Sequence, residues 1–161
     1  MILNEAILKG TTKKDKKVWC KAMDLMLALA KSSKNGRTPN SRFECHSICR
    51  AIAKNIRELR VVTGYYVGAS TTPAQNGVRV KPVFGEHSWL ITQDRAIIDP
   101  YPVGFLSANP VLVIGRGKYA CWGSGLYIPN RRKTAEVSRM KGLSVKVKLL
   151  SRLMKQARRS G

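Results

Sequence analysis

A cysteine, a histidine and an aspartate, Cys45, His87 and Asp99, follow one another in an order that suits nucleophilic catalysis. A cysteine nucleophile needs a stabilised thiolate, a base within hydrogen-bonding reach of the sulfur, and a third group that holds the base. The free N–H groups and the positive dipole end of a helix start can stabilise the thiolate. The sequence predicts a helix over about Phe43–Leu59, so Cys45 lies near its start. We therefore expect Cys45 as nucleophile, His87 as base and Asp99 as the residue that orients the base.

Cys49 is an alternative nucleophile, because residues four apart share one face of a helix. The segment Ser41-Arg-Phe-Glu44 resembles a capping box, which would start the helix early and place Cys45 in its second turn. Either cysteine could also be a small buried hydrophobic residue. His46 is expected to point to a different helix face from Cys45. A zinc site built from the two cysteines and a histidine lacks a second pair of ligands at a usual spacing, so we predict no metal and no cofactor.

Two predicted strands, His87–Ile91 and Ala96–Asp99, allow a geometric check of the triad. If Thr92-Gln-Asp94 forms a three-residue loop, the register puts His87 directly opposite Asp99, with their Cβ atoms about 5 Å apart. A two-residue turn would place the two side chains on different faces. The face that carries His87 is also expected to carry Trp89, Ile91 and Ile97.

The remaining pattern predicts a single domain, 1–161, of the α+β class. Further helices are expected over about Lys17–Ser32, Thr134–Met140 and Val147–Arg158, and further strands over Val61–Val67, Val78–Phe84 and Val111–Ile114. Thr71–Gly77 is rich in turn residues and separates the first two of these strands. Gly142 is expected to separate the last two helices. The order of helix, helix and then antiparallel strands indicates N-terminal helices packed on an antiparallel sheet.

The chain is strongly basic, with 30 Lys and Arg against 9 Asp and Glu and a formal net charge of +21. Such a field concentrates polyanions. The basic C-terminal helical segment, about 131–161, contains a single acid, Glu136. Its helix is expected to bury one side, Val147, Leu150, Met154 and Ala157, and to present another, Lys148, Arg152, Lys155 and Arg159. We predict that this second side binds a nucleic acid or an acidic protein; the alternative is a solvated face that only confers solubility.

No apolar run in the sequence approaches the roughly 18 residues of a membrane span. The N-terminus, Met1–Glu5, lacks the basic start and apolar stretch of a signal peptide. The expectation is a cytoplasmic protein without membrane association. In that compartment the four cysteines, Cys20, Cys45, Cys49 and Cys121, are expected to be unpaired.

The motifs Cys45, His87-Ser-Trp89 and Ile97-Ile-Asp99-Pro100 together resemble the transglutaminase-like branch of the papain-like cysteine protease superfamily. That branch is similar in having a cysteine on a helix, an H-x-W on a strand and an Asp-Pro at the end of the next strand. Arg60-Val-Val-Thr-Gly-Tyr65 also resembles its segment between helix and sheet, and the resemblance covers roughly Phe43–Gly104. It implies a papain-like fold and a Cys-His-Asp enzyme that hydrolyses an amide or transfers an acyl group, acting on a protein or peptide. Trp89 is then expected in the core or as a wall of the substrate pocket.

The chain departs from this branch in two places. Phe43-Glu44 stands where a glycine usually precedes the cysteine, and no Gly-Ile-Pro-type link precedes Arg60. No Gln or Asn can be assigned as oxyanion donor, which leaves that role to backbone N–H groups. A rival hypothesis is a basic binding module that keeps the fold and docks on nucleic acid or an acidic protein. A third is a viral or mobile-element factor that acts on a host target.

Overall fold

The computed structural model describes residues 11–31, 44–74, 77–101, 113–116 and 126–160. The part of the chain so described forms four helices and five strands, in the order α1 (Lys13–Lys31), α2 (Cys45–Asn55), β1 (Arg60–Ala74), β2 (Gly77–Ile91), β3 (Ala96–Asp99), β4 (Val113–Arg116), β5 (Leu126–Pro129), α3 (Arg131–Arg139) and α4 (Lys141–Arg159). All strand pairs are antiparallel, and the strands are ordered β4-β3-β2-β1-β5 across the sheet. The predicted α+β class is confirmed. Cys121 lies outside the described residues, as does most of the predicted capping box at Ser41.

A reciprocal cap explains why α1 starts at Lys13, four residues before the predicted start. The Asp15 N–H donates to Thr12 Oγ1 (3.0 Å), and the Thr12 N–H donates to Asp15 Oδ2 (3.0 Å), which satisfies two free donors of the first turn. The other carboxylate oxygen of Asp15 accepts the hydroxyl of Thr92 at 2.8 Å. The start of α1 is therefore tied to the turn between β2 and β3.

Three of the helices pack together, and α4 lies against both α1 and α2. Val147, Leu150 and Met154 of α4 are buried, as the amphipathic pattern predicted, and Ala157 is half-buried. The predicted break at Gly142 was wrong: the chain is extended at Met140, and Gly142 lies in the first turn of α4. Leu143 is buried in the helix core, and this packing offsets the modest cost of a glycine in a helix, about 1 kcal/mol.

One face of the sheet completes the helix core, and the other carries a second cluster. Leu90 and Ile98 are cross-strand partners, and both pack into the core with the helices. Ile91 and Ile97 are the next pair, and both belong to the second cluster. That cluster consists of Tyr66, Trp89, Ile97 and Tyr127, with Val62 and Ile91 partly buried against it. The expectation that Trp89, Ile91 and Ile97 share a face is confirmed.

The first hairpin is longer than predicted. β1 and β2 have 15 residues each and pair from Arg60↔Ile91 to Ala74↔Gly77. The predicted turn-rich segment Thr71–Gly77 therefore begins within a strand. Its residues are typical of turns, but a continuous antiparallel ladder supplies backbone hydrogen bonds that override such local preferences.

The turn between β2 and β3 sits one residue later than predicted. Thr92 and Ala96 close it with a backbone hydrogen bond of 2.9 Å, so its loop is Gln93-Asp94-Arg95. Arg95 adopts φ 63°, the left-handed conformation common at the third residue of such loops. The Thr92 hydroxyl also accepts the Ala96 N–H at 3.1 Å, and these contacts hold Thr92 at the closing pair. Continuing the Leu90↔Ile98 register puts Asp99 opposite Trp89, so the predicted direct opposition of His87 and Asp99 was wrong by two residues. A shift of two keeps both side chains on one face.

A fifth strand that the sequence pattern did not reveal, β5, pairs with β1 beside a glycine. Gly64 is the partner of Pro129, and a Cβ at Gly64 would lie 2.0 Å from the carbonyl oxygen of Ile128. The absence of a side chain at Gly64 thus allows the close approach of β5.

None of the helices in the described ranges is both long enough and apolar enough to cross a membrane.

Candidate active site

Cys45 is the first residue of α2 and is partly exposed. The preceding Glu44 has extended backbone and does not cap the helix with its side chain. The first N–H groups of a helix have no intrahelical carbonyl to bind and carry the positive end of the helix dipole. The alternative start that would place Cys45 in the second turn was wrong. The sulfur therefore lies where a thiolate, or an oxyanion formed beside it, meets backbone donors.

The imidazole of His87 and the carboxylate of Asp99 form a buried pair. His87 Nε2 lies 2.7 Å from Asp99 Oδ2, and the side chains are 1% and 0% exposed. Because Nε2 is engaged by the carboxylate, Nδ1 is the nitrogen left for the thiol. The His87 ring lowers the pKa of the Cys45 thiol through hydrogen bonding and charge, so the two side chains are neighbours. The structure thus brings the three predicted residues into one site.

Asp99 is held by two further donors. The backbone N–H of Tyr101 donates to Oδ1 at 2.9 Å, and the hydroxyl of Tyr127 donates to Oδ2 at 2.5 Å. Tyr127 comes from β5, so sequence reasoning missed it together with that strand. A tyrosine in a four-residue strand gave no signal that could have connected it with Asp99.

Aromatic rings surround the His87 imidazole. The ring centroids of Trp89, Tyr127 and Tyr66 lie 6.2, 6.1 and 6.3 Å from that of His87. Trp89 is 2% exposed and packs edge-on against Tyr127. Trp89 therefore lies in the core beside the imidazole, one of the two positions expected for it, and its substrate-binding role stays a prediction.

The charges of Cys45 and His87 are coupled. Burial raises the pKa of Cys45. Hydrogen bonding by His46 and His87 and the positive charge of these rings lower it by more, so that the net pKa is about 6 instead of 9.0. Burial lowers the pKa of His87, whereas the charge and hydrogen bond of Asp99, and then Cys45, raise it to about 10 from 6.5. Both shifts favour a thiolate beside an imidazolium, the reactive form of a cysteine nucleophile.

Cys49, the alternative nucleophile, lies in the interior. Its side chain is fully buried, and its S–H donates to the carbonyl oxygen of Ser88 at 3.1 Å. Burial, followed by the charges of Asp99 and Cys45, raises its pKa well above 9.0. The geometry favours Cys45.

His46 contacts the thiol as well, so the expectation that it points away from Cys45 was wrong. His46 Nδ1 lies 3.8 Å from Cys45 Sγ and 2.7 Å from Ser88 Oγ, and Nε2 lies 3.8 Å from Glu86 Oε1. Neighbouring residues on a helix normally point in different directions. Here Ser88, the residue after His87 on β2, holds the ring of His46 beside the sulfur. The sequence signal for this contact was that His46 directly follows Cys45.

The four predicted polyanion-binding residues, Lys148, Arg152, Lys155 and Arg159, are all exposed on α4. Another basic residue of α4, Lys146, lies 3.3 Å from the carboxylate of Glu44, directly before Cys45. The basic helix therefore passes beside the start of α2.

Among the described residues no group of three or more His, Cys, Asp or Glu side chains is arranged to hold a metal ion. No protein-family model, curated protein or solved structure matches the chain.

Proposed function

We propose that this protein is a cysteine-dependent acyl-transfer enzyme of the papain-like, transglutaminase-like kind, acting on an amide or thioester of a protein or peptide. The observation that carries the proposal is the buried His87–Asp99 pair beside Cys45, a cysteine at a helix start whose pKa is lowered by two neighbouring histidines. A thiolate, its base and an orienting carboxylate are the three parts that such chemistry requires.

In the first half of the proposed reaction, the thiolate of Cys45 attacks the carbonyl carbon of the substrate, and the carbonyl π electrons move to oxygen. The N–H groups of the first turn of α2 can stabilise that oxyanion. When the tetrahedral intermediate collapses, the bond to the leaving group breaks and the His87 imidazolium gives its proton to the leaving amine or thiol. The product is a thioester on Cys45 with a neutral imidazole beside it.

In the second half, neutral His87 takes a proton from water or from an amine as that nucleophile attacks the thioester. Collapse of the second intermediate releases the acid or the new amide and restores the thiolate–imidazolium pair. Asp99 keeps Nε2 of His87 protonated and Nδ1 directed to the sulfur throughout. Tyr127 and the Tyr101 N–H fix the carboxylate itself.

A peptide acyloxymethyl ketone tests the proposal, because it labels a cysteine only after attack by an activated thiolate. We expect one label per chain by intact mass, located on Cys45 by peptide mapping, in a background in which Cys20 and Cys121 are serine. Cys49→Ala is the matched control and should label at an unchanged rate, whereas Cys45→Ala should not label. Labelling no faster than that of free cysteine would count against the proposal.

The second candidate function is a basic binding module that uses the α4 surface. It is favoured by the exposure of Lys148, Arg152, Lys155 and Arg159 on one helix, none of which forms an ion pair with another described residue. The two functions are compatible, since the basic surface could bring an acidic substrate to the site.

A further inference from the structure

We propose that His46 is a second imidazole partner of Cys45, one that stabilises the thiolate independently of His87 and is held in place by Ser88. This inference rests on the proposed function, since it concerns the nucleophile of the same site. It assigns to the site a residue that the Cys-His-Asp pattern does not contain.

Hydrogen bonds to the sheet hold the His46 ring in position, in addition to its place next to Cys45 in the chain. Nδ1 lies 2.7 Å from Ser88 Oγ, and Ser88 Oγ lies 2.7 Å from Thr63 Oγ1. Ser88 and Thr63 are fully buried and are partners in the β1–β2 register. The ring is therefore anchored to two adjacent strands of the sheet, and Cys45 Sγ lies 3.8 Å from the same Nδ1.

The proposed thiolate requires one direction for these hydrogen bonds, because an anionic sulfur accepts and cannot donate. Nδ1 then carries a proton that it shares between Ser88 Oγ at 2.7 Å and Sγ at 3.8 Å. The Ser88 hydroxyl then accepts from Nδ1 and donates to Thr63 Oγ1. Nε2 faces Glu86 Oε1 at 3.8 Å, and Glu86 is in turn 3.1 Å from Lys133 Nζ. A carboxylate near Nε2 favours the doubly protonated, positive ring.

The charged and titratable groups that face His46 come from every element around it. They are Cys45 on α2, Glu86 and His87 on β2, and, through these, Asp99, Tyr101, Glu44 and Lys133. The hydrogen bond of Cys45 raises the pKa of His46, burial lowers it, and the charges of Cys45 and Glu86 raise it. Cys45 and Glu86 therefore act in the same direction on this ring and favour its positive form.

The two imidazoles differ in access to solvent. His87 is 1% exposed and His46 is 19% exposed. The thiolate therefore has one partner in the interior, bound to Asp99, and one at the surface, bound to Ser88. When the thioester breaks down and the thiolate forms again, His46 is a second donor to the sulfur beside the His87 imidazolium.

Titration of the thiolate by its ultraviolet absorbance tests this role without any substrate. The Cys20→Ser, Cys121→Ser background leaves Cys45 and the buried Cys49. We expect His46→Ala to raise the apparent pKa of Cys45 by about one unit, a tenfold loss of thiolate at acid pH. Ser47→Ala is the matched control, because Ser47 lies in the same turn and donates to the Glu44 carbonyl rather than to the sulfur; it should cause no shift.

A double-mutant cycle of His46→Ala and His87→Gln shows whether the two imidazoles lower the pKa of Cys45 independently of each other. The His87→Gln variant should keep a Cys45 pKa below 9.0, and the His46→Ala, His87→Gln double variant should exceed it, since only burial then remains. Ser88→Ala, which keeps His46 but removes its anchor, should raise the pKa by a smaller amount. A shift in His46→Ala no larger than that in Ser47→Ala, or a pKa of 9.0 or more in His87→Gln alone, would overturn the inference. Failure of the proposed enzymatic function would instead appear as an intact thiolate titration without labelling by the acyloxymethyl ketone.

Discussion

Tyr127 donates its hydroxyl to the same carboxylate oxygen of Asp99 that holds the His87 imidazole. Tyr127 lies on β5 and Asp99 ends β3, on opposite sides of the central β1–β2 hairpin in the strand order. The contact therefore connects an outer strand to the interior of the candidate site. The His87 ring and the Tyr127 hydroxyl thus bind the same buried oxygen of Asp99, and the Tyr101 N–H binds the other oxygen.

Tyr127→Phe should weaken both the fold and the reaction. The substitution removes a donor from a buried carboxylate, and an unmet buried acceptor costs about 1–3 kcal/mol. We expect the free energy of unfolding in urea to fall by this amount, and ketone labelling to slow by about threefold to tenfold, because Asp99 is held less firmly. Ile128→Val, on the same strand but exposed, is the control. Unchanged stability and labelling in Tyr127→Phe would show that the Tyr127–Asp99 hydrogen bond contributes to neither the fold nor the reaction.

Removal of the candidate nucleophile should separate activity from folding. Cys45→Ala should abolish turnover and labelling with a nearly unchanged unfolding transition, because the residue is only partly buried. Cys49→Ala should do the reverse and lose about 1–2 kcal/mol of stability while labelling continues. Asp99→Asn should retain more activity than Cys45→Ala, since the nucleophile survives although the tautomer and orientation of His87 are disturbed. A dead Cys49→Ala together with an active Cys45→Ala would reverse the assignment.

The rate of labelling should show a bell-shaped dependence on pH. Thiolate forms as pH rises through the lowered pKa of Cys45, about 6, and the imidazolium is lost as pH rises through the raised pKa of His87, about 10. The acid limb should therefore lie near 6 and the alkaline limb near 10. Because the charge of Asp99 is the main favourable influence on the His87 pKa, Asp99→Asn should move the alkaline limb downward. A profile that only rises, with a midpoint near 9, would indicate an unassisted thiol.

Gly64 should not tolerate a side chain. An added Cβ would meet the Ile128 carbonyl oxygen at 2.0 Å and the Asn130 nitrogen at 2.9 Å, so β5 would have to move. We expect Gly64→Ala to cost about 1–3 kcal/mol of stability, as is typical of overpacking, and to slow labelling by displacing Tyr127. Gly85 lies on the neighbouring strand, and a Cβ added there would meet no atom within 4 Å, so Gly85→Ala is the matched control and should be neutral or stabilising. Equal stabilities of the two variants in urea would contradict this account of β5.

The sequence was sufficient to predict the parts of the site that depend on local pattern. Helical spacing placed Cys45 near a helix start, and strand alternation placed His87 and Asp99 on one face. The loop position was missed because it depends on Thr92, whose hydroxyl bonds Asp15 at a sequence distance of 77 residues. Local propensity carries no information on such a contact.

Tyr127 and His46 could not be assigned for related reasons. Tyr127 reaches Asp99 only because β5 pairs with β1 beside Gly64, a pairing between segments far apart in the chain. The orientation of His46 follows from Ser88 and Thr63, whereas helix geometry alone predicts that it points away from its neighbour. In both cases the tertiary environment determines the role of the side chain.

The basic surface of α4 should bind polyanions through charge alone. Lys148, Arg152 and Lys155 are exposed, while the opposite side of the helix is buried against α1 and α2, so their charge can be reversed without disturbing the core. We expect binding of DNA and RNA to be independent of sequence and to fall steeply with salt, because the affinity comes from released counterions.

The triple variant Lys148→Glu, Arg152→Glu, Lys155→Glu should weaken this binding by at least tenfold and reduce its salt dependence. Labelling by a small uncharged ketone should stay unchanged. Glutamate at Lys13, Lys16 and Lys17, which are exposed on α1, makes the same change of net charge elsewhere. If the two triple variants lose affinity equally, the net charge of +21 attracts the polyanion and α4 is not a specific surface. If the chain binds neither nucleic acid nor an acidic protein at low salt in fluorescence anisotropy, the basic face only confers solubility. Selective loss in the α4 variant would instead make this helix the recruiting surface beside the candidate site, because Lys146 of the same helix is paired with Glu44 directly before Cys45.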